Sequence, residues 1–135
     1  MADAKNRGLM RLANRILINL NAVAPSEMSL YQVPLNKEAL PVMVILRELS
    51  ADAANAVVTF GLYGVAGNVD QWLSDVTLSG FDAVDKGGVI MPIPAATPVV
   101  QDLLTAGQEF GVEITTAAGG ACTCTMDTFG YEWDV

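Results

Sequence analysis

Residues 110–133 read FGVEITTAAGGACTCTMDTFGYEW, and their alternation decides the fold class. Phe110, Val112 and Ile114 alternate with Gly111, Glu113 and Thr115. Cys122, Cys124 and Met126 then alternate with Thr123, Thr125 and Asp127. A period of two is the signature of a strand with one face buried. Between the runs lies Ala117-Ala118-Gly119-Gly120, and glycine accepts turn geometry without steric cost. The pattern predicts a β-hairpin. Phe129, Tyr131, Trp133 and Val135 share the parity of Thr123 rather than that of Cys122. A one-residue slip flips every side chain to the other face. Either a bulge near Asp127 and Thr128 resets the parity, or both faces of this strand are covered; the bulge is the preferred reading.

Working backwards, the same texture persists. Residues 41–49 (PVMVILREL) are apolar on both faces, which suits a buried central strand. Residues 56–63 (AVVTFGLY) are β-branched and aromatic, a second central strand. Shorter strands are expected over residues 30–33 and 73–81, with a strand or helical turn over 99–104. Pro92, Pro94 and Pro98 exclude a central strand from residues 89–98. Many short strands with Gly and Pro punctuation, and no βα alternation, predict an all-β domain. It is expected to be a β-sandwich or barrel, jelly-roll-like, with an N-terminal basic arm.

The arm is read from charge. Lys5, Arg7, Arg11 and Arg15 are four of the seven basic residues, while fourteen of the fifteen acids follow them. The expected division is an arm over residues 1–14 and one β domain over residues 15–135. Arg7, Arg11 and Arg15 recur every fourth residue beside Leu12 and Ile16. These five are the candidate partner-docking residues, since such a segment pairs with acidic groups while burying its apolar side. Helical spacing and strand alternation compete here; a flexible or partly helical arm is expected to feed a first strand near residues 15–21.

Composition bounds the function. The chain has 135 residues, enough for one domain with a real core. Charged residues make up 16%, against a usual ~25%, and hydrophobic residues 52%. That much apolar surface is hard for a monomer of this size to hide, and points to burial against other subunits. The net charge of −8 argues against nucleic-acid binding, leaving only the arm to meet phosphate. No stretch approaches the ~20 apolar residues of a membrane span. Residues 16–24 could serve as the core of a secretory leader, although Asn19 and Asn21 interrupt them.

Chemistry finds little support. Histidine is absent, which removes the commonest acid–base side chain and the usual activator of nucleophiles. Cys122 and Cys124 stand two apart in a strand, too far to bond to each other, and read as small buried hydrophobes. Neither a metal site nor a cofactor is expected. Asp70 and Asp75 flank Trp72, and Asp82 and Asp85 share a loop, so a carboxylate pair or a calcium loop with Asn68 is conceivable. Trp72, Trp133, Tyr63 and Tyr131 could likewise form a sugar-stacking platform. The expectation is a protein that is not an enzyme.

The basic start MADAKNRGLMRLANR, the Ala-, Gly- and Thr-rich β body and the ending FGVEITTAAGGACTCTMDTFGYEW resemble the structural proteins of tailed-bacteriophage virions. Capsid decoration, or cement, proteins are the nearest in style. The resemblance implies a non-catalytic role: binding and stabilising an assembled capsid lattice, with the major capsid protein or another virion protein as partner. It further implies a homo-oligomer in the virion, assembled in the host cytoplasm. A glycan- or surface-binding β-sandwich, or another head–tail or tail protein, is the alternative.

Overall fold

Alternation along the chain becomes nine strands in a computed structural model that describes residues 8–93 and 96–135. They are β1 (Met10–Asn19), β2 (Ser26–Gln32), β3 (Lys37–Arg47), β4 (Val57–Leu62), β5 (Leu73–Thr77), β6 (Gly88–Ile90), β7 (Leu104–Thr105), β8 (Glu109–Thr116) and β9 (Thr123–Asp134). Among the described residues there is no helix. The strands form two antiparallel sheets. Sheet A runs β1-β9-β3-β6, with β7 also on β3, and sheet B runs β2-β8-β4-β5. Apart from the two-residue β7, this is the strand order of a jelly roll: every connection crosses between the sheets except β4 to β5.

The core lies between the sheets. Sheet A contributes Ile18, Ala39, Val44, Leu46, Cys124 and Met126. Sheet B contributes Leu30, Val58, Phe60, Leu62, Phe110, Val112 and Ile114. Phe60 stacks on Phe110 with centroids 6.2 Å apart, and Trp72 meets both rings edge-on at 5.7 and 5.0 Å. The Trp72 Nε1–H donates to the Pro41 carbonyl at 3.1 Å, tying that cluster to sheet A.

The predicted hairpin at residues 110–127 is corrected. Strands β8 and β9 do not pair; β8 lies between β2 and β4, and β9 between β1 and β3. Two amphipathic runs joined by a Gly-Gly turn can lie side by side or face each other across a core. Here they face each other. The connection is clamped by Leu20, whose carbonyl accepts from Ala118 N (2.8 Å) and whose N–H donates to the Cys122 carbonyl (2.9 Å).

The preferred bulge in the last strand is corrected as well. Strand β9 carries an unbroken alternation, and the extra residues sit on its neighbours. On β1 the register shifts between Arg11 and Ala13 and again between Ala13 and Ile16. On β3 it shifts between Pro41 and Met43. Pro41 lacks an N–H for the ladder, so a proline in a central strand belongs at such a bulge. The backbone of β3 consequently crowds Gly130. A Cβ there would lie 2.3 Å from the Leu40 carbonyl oxygen and 2.9 Å from the Pro41 Cα.

Of the expected arm, residues 1–7, with Lys5 and Arg7, lie outside the described residues. Strand β1 begins at Met10, five residues before the expected start near Arg15. Met10, Arg11 and Ala13 pair with Gly130, Phe129 and Thr128, so the ladder of β9 claims backbone groups that a helical turn would have used. After Ile90 the described residues 91–93 and 96–103 form no strand, in keeping with Pro92 and Pro98.

Candidate functional site

An outward face of sheet A follows from the unbroken alternation of β9. Register pairs Phe129 with Arg11 and Met43, Tyr131 with Leu40, and Trp133 with Glu38. Thr125 lies between Leu17 and Arg47, and Ile45 between Asp127 and Val89. Leu17 is 68% exposed, Val89 56% and Tyr131 40%, while Leu40, Met43, Ile45 and Phe129 are half-buried. The outward face thus sets apolar and aromatic side chains beside Arg11, Glu38, Arg47, Thr125 and Asp127, with more apolar surface than the polar face that usually completes an antiparallel sandwich.

A charged cluster crosses this face between Leu17 and Phe129. Asp127, buried on this face, accepts from Arg47 Nε at 2.8 Å and from the Arg15 backbone N–H at 2.7 Å. Arg15 reaches Asp127 because it sits at the β1 bulge with φ 53°. Glu48 (φ 54°) accepts from Arg47 Nη1 at 2.6 Å and pairs with Arg15 Nη1 at 3.4 Å. Burial pushes the Asp127 carboxyl up, but the hydrogen bonds from Arg47 and Arg15 and the charges of Arg47 and Arg11 outweigh it and hold it below the usual carboxylate range. A carboxyl whose folded value is depressed contributes stability above its unfolded value, near 3.9, and loses it as the pH falls through the folded one. Asp127→Asn is therefore expected to lower Tm by roughly 5 °C at pH 7. The difference from the parent should shrink as the pH falls below about 4 and the carboxyl is protonated. Thermal melts between pH 2 and pH 7 measure this.

The five candidate docking residues divide. Arg11 and Arg15 are exposed along β1 at the rim of the apolar face. Leu12 and Ile16 pack against the core, so the exposed apolar partner on this strand is Leu17. Arg7 lies outside the described residues. Sequence reasoning missed Leu17, Val89 and Tyr131 as a joint surface. Its signal was the parity of Phe129, Tyr131 and Trp133, which the expected bulge had explained away.

Two other features carry side chains named from sequence. Beside this face, an apolar groove of about 400 Å³ is lined by Leu40, Pro41, Val42, Trp72, Met91 and Val100, among others. Trp72 is 5% exposed and wedged against Phe60 and Phe110, so it offers no free ring face for stacking a sugar. Cys122 and Cys124 are free and buried, and burial first, then the neighbouring Cys122, pushes the Cys124 thiol up to about 12. Among the described residues no three His, Cys, Asp or Glu side chains gather where a metal ion could be held.

Solved structures share this arrangement. A chain of the acidic stable capsid of Helicobacter pylori bacteriophage KHP30 superposes with a TM-score of 0.54 at 11% identity, over 95% of this chain and 98% of that one. A chain of the cyanophage Pam1 capsid asymmetric unit gives the same score and identity, over 95% of this chain and 91% of that one. The likeness is one of fold. No family model matches the sequence, and none of the curated proteins compared with it does. The resemblance to phage virion proteins first read from the sequence therefore reappears in three dimensions, along almost the whole chain.

Proposed function

We propose that this chain is a structural protein of a phage virion that binds an assembled capsid lattice as a decoration or cement protein. The observation that carries the reading is the apolar outer face of sheet A around Tyr131, on a fold shared with chains of two phage capsids. Jelly rolls also serve lectins and enzymes, so the surface and not the fold has to carry the function. Leu17, Val89 and Tyr131 are exposed on the same face of a rigid sheet, on either side of the Arg47–Asp127 pair, a favourable base for a docking surface whose aromatic and apolar anchors supply most of the binding energy. Arg11 and Arg15 at its rim would steer the chain towards an acidic capsid surface and set its orientation. Many copies, each bridging neighbouring shell subunits through weak contacts, would together resist expansion of the shell. The partner is the major capsid protein or another virion protein, the chain works as a homo-oligomer, and no catalysis enters the mechanism.

The test is occupancy on capsids stripped of this protein. The double substitution Leu17→Asp and Tyr131→Asp adds charge to exposed positions and leaves the core untouched. It is expected to weaken binding at least a hundredfold, from about 2 kcal/mol per lost anchor. Unchanged occupancy, measured by co-sedimentation with capsids, would overturn the reading.

A further inference from the structure

We propose that an acidic row on the outer face of sheet B receives the basic N-terminal segment of a second copy of this chain, joining copies head to tail. Glu27 on β2 and Glu113 on β8 are register partners, and Thr59 on β4 is the register partner of Glu113 on its other side. Val58, Phe60 and Leu62 point into the core, so Thr59 and Gly61 point outward, as Glu113 does. The loop of residues 63–72 folds over this face at Gly61, where a Cβ would lie 2.4 Å from the Asn68 carbonyl oxygen, and its Gly64 N–H donates to Glu27 Oε1 at 3.0 Å.

Like charges placed directly opposite across a sheet destabilise it. Glu113 shows the strain: burial first, then the charges of Glu27 and Asp70, push its carboxyl up. Among the described residues no base forms an ion pair with Glu27, Asp70 or Glu113; Arg15, Lys37 and Arg47 pair with Glu48, Asp134 and Asp127. A second observation points to a missing guest. Thr59 Oγ1 in this row is buried at 4% exposure and has no hydrogen-bond partner, a state that buried hydroxyls rarely tolerate. Such an oxygen can accept an N–H from an incoming cation.

The chain carries a matching cation source in Lys5 and Arg7. Strand β1 delivers that segment at Met10, nine residues and about 30 Å from its Asn19 end. The acidic row lies towards the Asn19 end, since Glu27 is the second residue of β2, just after the connecting loop. Met10 and the row therefore lie at opposite ends of the sandwich, so copies set end to end bring one copy's Met10 to the next copy's row. Such a contact is heterologous, and it builds a ring when the rotation closes.

The inference deepens the homo-oligomeric part of the proposed function. Sedimentation velocity on the full chain tests it without capsids, so failure of capsid docking leaves the readout untouched. The parent chain is expected to associate at micromolar concentration. Glu27→Gln with Glu113→Gln, and separately Lys5→Ala with Arg7→Ala, should each weaken association at least tenfold. Equimolar mixing of a Glu27→Lys, Glu113→Lys chain with a Lys5→Glu, Arg7→Glu chain should restore a mixed oligomer. A monomeric parent, or association unchanged by both pairs of substitutions, would overturn the proposal; so would a charge-reversed mixture that stays monomeric.

Discussion

Phe60→Ala is expected to lower the unfolding free energy by about 4 kcal/mol. Phe60 has no exposed surface and packs against both Phe110 and Trp72, which also touch each other, in the core of the sandwich. The cost of such a truncation depends on how far the surroundings can collapse into the space. Here they are held. The indole of Trp72 is fixed to the Pro41 carbonyl at 3.1 Å, and the Gln101 side chain donates to the Trp72 carbonyl at 3.0 Å. Phe110 belongs to β8, which is bonded on both sides by β2 and β4. The void therefore stays open. Single domains are stable by only about 5–15 kcal/mol, so the variant should unfold at a much lower urea concentration with little change in slope. Phe60→Leu, which keeps most of the volume, should cost less than half as much. Equal losses for the two variants would show that the site relaxes and would refute the rigid-cluster account.

Gly130→Ala is expected to cost about 3 kcal/mol, through crowding rather than a cavity. The added methyl would meet the Leu40 carbonyl oxygen at 2.3 Å, the Pro41 Cα at 2.9 Å and Leu12 Cδ1 at 3.0 Å. Leu12 can swing aside, but the other two contacts are backbone of β3 at its bulge. Relief needs β3 to part from β9, and that pairing runs ten residues deep, from Lys37 with Asp134 to Arg47 with Thr125. Gly120→Ala serves as the control, since nothing lies within 4 Å of a Cβ there. Urea unfolding of both variants checks the pair. A Gly130→Ala chain as stable as the control would mean that the two strands slide freely.

Much of the fold was legible because alternation is local. The strands around residues 41–49, 56–63 and 110–127 could be placed from periodicity, and the prolines after Ile90 correctly denied that segment a central position. The start of β1 was harder to read. Residues 10–14 satisfy a helical spacing and a strand spacing equally, and only the ladder offered by β9 decides between them. The candidate site was half legible. Charge spacing marked Arg11 and Arg15, which lie at the rim. Leu12 and Ile16, taken from the same spacing, pack against the core while Leu17 faces outward, because a bulge at Arg15 resets which side chains do so.

By itself the sequence determined that this is an all-β chain with a basic start and an acidic body rich in apolar residues. Those properties depend on composition and on neighbours two residues apart. Tertiary structure alone decided that β8 and β9 face each other instead of pairing, that Phe129, Tyr131 and Trp133 lie on the outer face, and that Glu27 and Glu113 stand side by side. These depend on which strands become partners. Partner choice is settled by the joint burial of residues as far apart in the chain as Met10 and Gly130, and no local window of the chain contains that sum.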